Sequence, residues 1–197
     1  MTTMTTTTPH RLEPIKRSWN PLVWLISMVY RVTIGHDLPV TQVVFARAPG
    51  LILGHMFLLA TAEYLVSLDG RTLSLVRVLG SRVNNCMFCD DLESHMALQH
   101  KALTREELDA VPHYATSVLF TERERAALKY IEQVNTAGVA DDSTFAALQA
   151  HFTDKQVVEI TWINGVNNYL NMVAKPLGLT SQGYCAIGNA NSRNQDA

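Results

Sequence analysis

Residues 73–92 read LSLVRVLGSRVNNCMFCDDL, and the break at Asn84-Asn85 decides how this chain folds. Apolar residues on both sides of the break recur at helical rather than alternating spacing. The run predicts one helix from about Leu73 toward Val83. A second starts near Asn84 or Asn85, carries Cys86 and Cys89, and lasts to about Lys101. Working outward, PLVWLISMVYRVTIG (Pro21 to Gly35) and LILGHMFLLATAEYLVS (Leu51 to Ser67) are apolar helices, and LDGRT at residues 68–72 is a stop. Downstream, Thr104 stands three residues before Glu107 and Thr121 three before Glu124, the spacing in which two side chains satisfy each other's exposed amides at a helix start. DDSTFAALQAHF and a long helix opening at Thr153 and closing at Lys175, before Pro176, complete the set. Strict alternation bounded by turn residues is scarce, so the chain reads as all-α.

Length and charge bound the rest. The 197 residues suit one domain with a real core. MTTMTTTTPHRLEP, residues 1–14, is a Thr-rich leader expected to be disordered, followed by a helical domain over 15–180 and a flexible tail over 181–197. The leader has neither the basic start nor the apolar run of a secretory signal. With 16 Lys and Arg against 18 Asp and Glu and no basic run, nucleic acid is not an expected partner. The Pro21 to Gly35 segment is too short and too interrupted by Arg31 to cross a bilayer, so no membrane partner is expected. Three cysteines, two of them only three residues apart, point to a reducing cytoplasm rather than a disulfide-stapled secreted domain.

On a helical wheel Cys86, Cys89, Glu93, Met96 and His100 share one side. His95 falls opposite, one turn after Asp91, where those two can pair. Asp90 and Asp91 suit the positive end of the helix, and the same exposed amides lower a thiol pKa. Several chemistries use C-x-x-C. A c-type haem attachment needs His directly after the second Cys, and Asp90 stands there. A thioredoxin-like site needs a βαβ setting that this chain lacks. Zinc needs two more ligands, and neither a second C-x-x-C nor an H-x-x-x-H follows, so no metal and no cofactor is expected. A helical dithiol remains, in which one thiolate attacks an oxidised substrate and its neighbour closes the disulfide. Beside it stands packing alone, because cysteine is among the most often buried residues.

The run at residues 73–92 resembles the helix pair of carboxymuconolactone decarboxylase-like proteins, which include the alkylhydroperoxidase D group. LFTERERAALKYIEQV, FAALQAHFTDKQVVEITWINGVNNYLNMVAKPLG and PGLILGHMFLLATAEYLVSLDGRTLSLVRV extend the resemblance over about Ala48 to Leu179. It implies an alkylhydroperoxidase D-like helical fold, homo-oligomers and, in redox-active members, a dithiol peroxidase or disulfide reductase supplied by a thiol electron donor. By the family's pattern Cys89 is the attacking thiol and Cys86 the resolving one. Peroxidase-type members carry a Glu twelve residues before the first Cys and a His four after the second. Here those places hold Ser74 and Glu93. A carboxylate at 93 repels a thiolate where an imidazole favours it, so weak activity is expected unless Arg77 or Arg82 offsets the charge.

The remaining residues read as structure. His55 and Glu63 lie on one side of an apolar helix as a partly buried polar pair. His95 and His100 read as surface or capping groups, Met28, Met56, Met87, Met96 and Met172 as core filling, and Trp19, Trp24 and Trp162 as pocket or interface. Val166-Asn167-Asn168 echoes Val83-Asn84-Asn85, with Tyr169 where Cys86 stands. Two functions remain open: an oxidoreductase cycling Cys86 and Cys89, and a decarboxylase-like lyase or non-catalytic binding member with structural thiols. The acids Asp90, Asp91 and Glu93 are poor company for the anionic substrate of a lyase, which favours the first.

Overall fold

The computed structural model describes residues 10–185, and among them every regular element is helical. The α-helices are α1 (Pro21–Thr33), α2 (Leu51–Tyr64), α3 (Gly70–Val83), α4 (Met87–Gln99), α5 (Arg105–Ala110), α6 (Glu122–Ala137), α7 (Asp142–His151) and α8 (Asp154–Ala174). A π-helical turn at Thr41–Phe45 and a 3-10 turn at Val111–His113 complete the set. The all-α reading is correct. Side chains of Asn20, Asp69, Thr104, Thr121, Asp141 and Thr153 accept backbone N–H groups at their helix starts. Both expected capping boxes form, and Thr153 with Gln156 makes a third.

Several boundaries differ from the sequence reading. α2 ends at Tyr64 rather than Ser67, so LDGRT does not stop it but starts the next helix: Asp69 Oδ1 accepts from Thr72 N–H at 2.8 Å, and α3 begins at Gly70 rather than Leu73. The cysteine helix begins at Met87 rather than at Asn84 or Asn85. Asn85 takes the left-handed conformation at φ 53°, which asparagine tolerates better than most residues, and this turns the chain before Cys86.

α3 is the central strut, packed against α4, α6 and α8. Its Val76 and Val78 have no exposed surface, and burial of a side chain of that size contributes about 1.5–3 kcal/mol. Gly80 on α3 lets α8 approach: a Cβ there would stand 2.6 Å from Asn167 Nδ2. A second cluster joins α1, the π-helical turn, the start of α2 and the start of α4, and contains Tyr30, Phe45, Ile52, Cys86, Phe88 and Cys89. Arg71 on α3 holds Glu107 at 2.6 Å and Glu124 at 2.5 Å, so the box glutamates of α5 and α6 also bind the strut.

The ends of the described chain are tied down. Arg11 N–H donates to Leu177 O at 3.0 Å, and Arg47 Nη2 donates to Glu13 O at 2.7 Å. The rest of the Thr-rich leader, residues 1–9, lies outside the described residues, as do residues 186–197 of the expected tail. Residues 181–185 of that tail are bonded to Asp91, which accepts from Ser181 Oγ and from the N–H groups of Gln182, Tyr184 and Cys185 at 2.8–3.1 Å. Among the described residues no helix is long and apolar enough to cross a membrane.

Candidate functional site

Cys86 and Cys89 sit at the start of α4, directly after the Asn84-Asn85 turn. Cys86 is the N-cap, and its Sγ accepts from Cys89 N–H at 3.4 Å. The two sulfurs are joined as a disulfide with Cα atoms 5.2 Å apart. Both residues are buried, yet they face different surroundings. Cys89 lines a cavity of about 950 Å³ walled by α1, α2, α3, α4 and α8, while Cys86 packs behind it at 1% exposure.

Most of the predicted α4 face reaches this cavity: Cys89, Glu93, Met96 and His100 all line it. Ser74 of α3, at the position where peroxidase-type relatives carry Glu, lines it too. Burial raises the Glu93 pKa, nearby Arg77 opposes that rise, and Glu63 adds to it. Glu93 therefore stays a neutral acid to higher pH than an ordinary glutamate. The repulsion expected between a charged Glu93 and a Cys89 thiolate is weakened by the same burial that brings them to one cavity. Arg77 donates to Glu63 Oε2 at 2.9 Å and to Ala62 O at 3.0 Å, and its charge belongs to the cavity. Arg82 instead binds Asp90 at 2.8 Å and Leu108 O at 2.5 Å.

Three expectations are corrected. Asp91 does not pair with His95: its carboxylate holds residues 181–185, and His95 lies near the rings of His36 and Tyr184. Burial alone would raise the Asp91 pKa, but the hydrogen bonds from Cys185, Ser181, Gln182 and Tyr184 outweigh it and hold the carboxyl below its usual value. His55 bonds to Tyr30 and Tyr169 rather than to Glu63, which belongs to Arg77. Of the methionines read as core filling, Met28, Met87 and Met172 are exposed, while Met56 and Met96 line the cavity.

The wheel could not find the opposite wall, because it comes from α1 and α2. Tyr30 Oη lies 2.9 Å from His55 Nε2, and Tyr169 Oη lies 3.4 Å from His55 Nδ1. Burial lowers the His55 pKa to about 4, so the ring is neutral. The signal available in the sequence was a lone histidine in an apolar helix. Tyr169 and Trp162 line a separate apolar groove of about 550 Å³ outside α8, while Trp19 and Trp24 are exposed. Among the described residues no group of three or more His, Cys, Asp and Glu is placed to hold a metal ion.

Comparison with known proteins agrees with this architecture. The sequence profile of the carboxymuconolactone decarboxylase family matches residues 54–133. The uncharacterized protein YnjA of Escherichia coli K12 is 31% identical over 121 residues, covering 61% of this chain and 66% of that protein. An uncharacterized protein of Mycobacterium tuberculosis is 34% identical over 57% of this chain, a region that spans only 39% of the relative. Among solved structures, a protein of unknown function from Agrobacterium tumefaciens, whose suggested role is AhpD antioxidant defence, superposes with TM-score 0.65. It is 27% identical, over 70% of this chain and 94% of that one. The debrominase Bmp8 bound to 2,3,4-tribromopyrrole shares the fold at TM-score 0.78 and 18% identity, over 90% of this chain and 95% of that one. The profile match spans both cysteines, and the helical arrangement around them is shared: this chain belongs to the carboxymuconolactone decarboxylase-like, AhpD-like family.

Proposed function

We propose that this protein is a dithiol oxidoreductase in which Cys89 attacks an oxidised organic molecule held in the cavity and Cys86 closes the disulfide. One observation carries the reading: of two sulfurs within bonding reach, Cys89 faces the cavity and Cys86 sits behind it. At about 950 Å³, with largely apolar walls, the cavity has the size of a site for a whole small organic molecule, far larger than hydrogen peroxide requires. A helix start favours the thiolate of a residue in its first turn. The fold itself can enclose an apolar ring, since Bmp8 binds tribromopyrrole.

With an organic hydroperoxide the chemistry balances. The Cys89 thiolate forms an S–O bond as the O–O bond breaks and the alkoxide leaves. Cys86 then attacks the sulfenic sulfur, the S–S bond forms and water departs. An external thiol donor restores the pair. Glu93 lies one helical turn beyond Cys89, and because burial raises its pKa its carboxylate form is a stronger base than an ordinary glutamate and takes the thiol proton in this scheme. The test is thiol titration with mass spectrometry of the reduced protein before and after cumene hydroperoxide. Loss of two hydrogens in the 86–89 peptide, with Cys185 unchanged, is expected. No change in that peptide would show that the thiols are structural and leave a binding or lyase member.

A further inference from the structure

We propose that Tyr30, His55 and Tyr169 form a neutral proton relay that carries a proton from the outer groove on α8 to the cavity holding Cys89. The argument is a count of hydrogens. A neutral imidazole has one N–H and each phenol has one O–H, so the chain owns three hydrogens for two contacts. In one arrangement Tyr169 donates to His55 Nδ1, Nε2–H donates to Tyr30, and the Tyr30 O–H is left for the cavity. In the other every hydrogen has moved one place: Tyr30 donates to Nε2, Nδ1–H donates to Tyr169, and the Tyr169 O–H is left for the groove. Passing from the first to the second moves one proton through the wall and leaves no charge behind. An imidazolium could not do this, since both its nitrogens are donors. Burial of His55, at 4% exposure, keeps the ring neutral.

The two ends open on different spaces. Tyr30 lines the large cavity and shares a buried cluster with Cys89. Tyr169 is half-buried and lines the outer groove beside Trp162 and Phe145. The step the relay serves rests on the dithiol reading. When Cys89 sulfur displaces an alkoxide from an organic hydroperoxide, the electron pair of the O–O bond leaves on that oxygen, which then needs a proton. Tyr30 O–H supplies it, His55 Nε2–H restores Tyr30, Tyr169 restores His55 at Nδ1, and water restores Tyr169. The proton lost by the Cys89 thiol leaves through the chain in the opposite direction, so one proton enters for each that departs. A proton passing back along the same chain, from cavity to groove, returns every hydrogen to its first place and resets it.

Two measurements on the full-length protein test this. The first is the rate at which cumene hydroperoxide oxidises the reduced protein, compared with Tyr169→Phe and Tyr30→Phe. Each variant should lower the maximal rate at least about a hundredfold, the low end of what a positioned proton donor contributes, without changing the hydroperoxide concentration for half-maximal rate. Alkylation of Cys89 by iodoacetamide, whose iodide leaves without a proton, should be unaffected. Equal oxidation rates in wild type and Tyr169→Phe would overturn the relay. The second measurement is ¹⁵N NMR of the His55 ring, which needs no turnover. The relay requires a neutral ring with both nitrogens averaged between the two tautomers, and a ring fixed in one tautomer overturns it whatever the thiols do. A wild type that never forms the disulfide, yet shows both His55 tautomers, overturns the dithiol reading and supports the relay.

Discussion

Lowering the pH from 7.5 to 5 should destabilise wild-type protein by about 2 kcal/mol more than it destabilises a His55→Gln variant. His55 is 4% exposed, and burial lowers its pKa from 6.5 to about 4. Between those values the unfolded chain holds a proton on this residue that the folded chain refuses, so stability falls as the pH drops through the interval. Above it neither state is protonated, and below it both are. At about 1.4 kcal/mol per unit, the full loss is capped at roughly 3.5 kcal/mol, somewhat over half of it developed by pH 5. Other groups titrate as well. Asp91 and Glu124, both held below their usual values, also lose stability in acid, whereas Glu93, held above, gains it. Comparison with the variant cancels those contributions, and glutamine keeps an amide for Tyr30 to bond. The assay is urea denaturation followed by tryptophan fluorescence, with both proteins oxidised and at equal concentration. If the two proteins lose stability in parallel, within about 0.5 kcal/mol, the reasoning about the His55 environment is wrong.

Gly80→Ala should lower stability by about 2 kcal/mol, although alanine is the better helix former, because its Cβ would meet Asn167 Nδ2 at 2.6 Å. Asn167 is itself committed to Arg77 O at 3.1 Å, and an unchanged melting temperature would show that it swings aside freely. Asp91→Asn removes the charge that collects Ser181, Gln182, Tyr184 and Cys185, at a cost of about 1.5–3 kcal/mol. Amide hydrogen exchange at Tyr184 and Cys185 should accelerate, and unchanged exchange sinks that account. Trp24, Leu25 and Val32 on α1 and Leu53, Phe57 and Tyr64 on α2 stay exposed, and we expect copies of this chain to cover them. Light scattering at micromolar concentration should give an oligomer, and a monomeric mass removes the idea.

The sequence by itself determined the helices and their starts, because those depend on neighbours a few residues apart. Thr104 with Glu107 and Thr121 with Glu124 are local devices, and both formed where they were read. The shared α4 face of Cys89, Glu93, Met96 and His100 follows from helical periodicity alone, and it does line one cavity. Tertiary structure decided what those faces meet. Nothing in the capping boxes says that a single Arg71 clamps both glutamates. The spacing of Asp91 and His95 permits a pair, but a cluster of amides from residues 181–185 offers the carboxylate more donors than one imidazole. His55 was legible only as a polar residue in an apolar helix, since its partners lie 25 and 114 residues away. Glu93 changed most: a carboxylate on a wheel is charged, whereas burial, the charge of Arg77 and the proximity of Glu63 set its proton affinity, and those exist only once α2, α3 and α4 have packed.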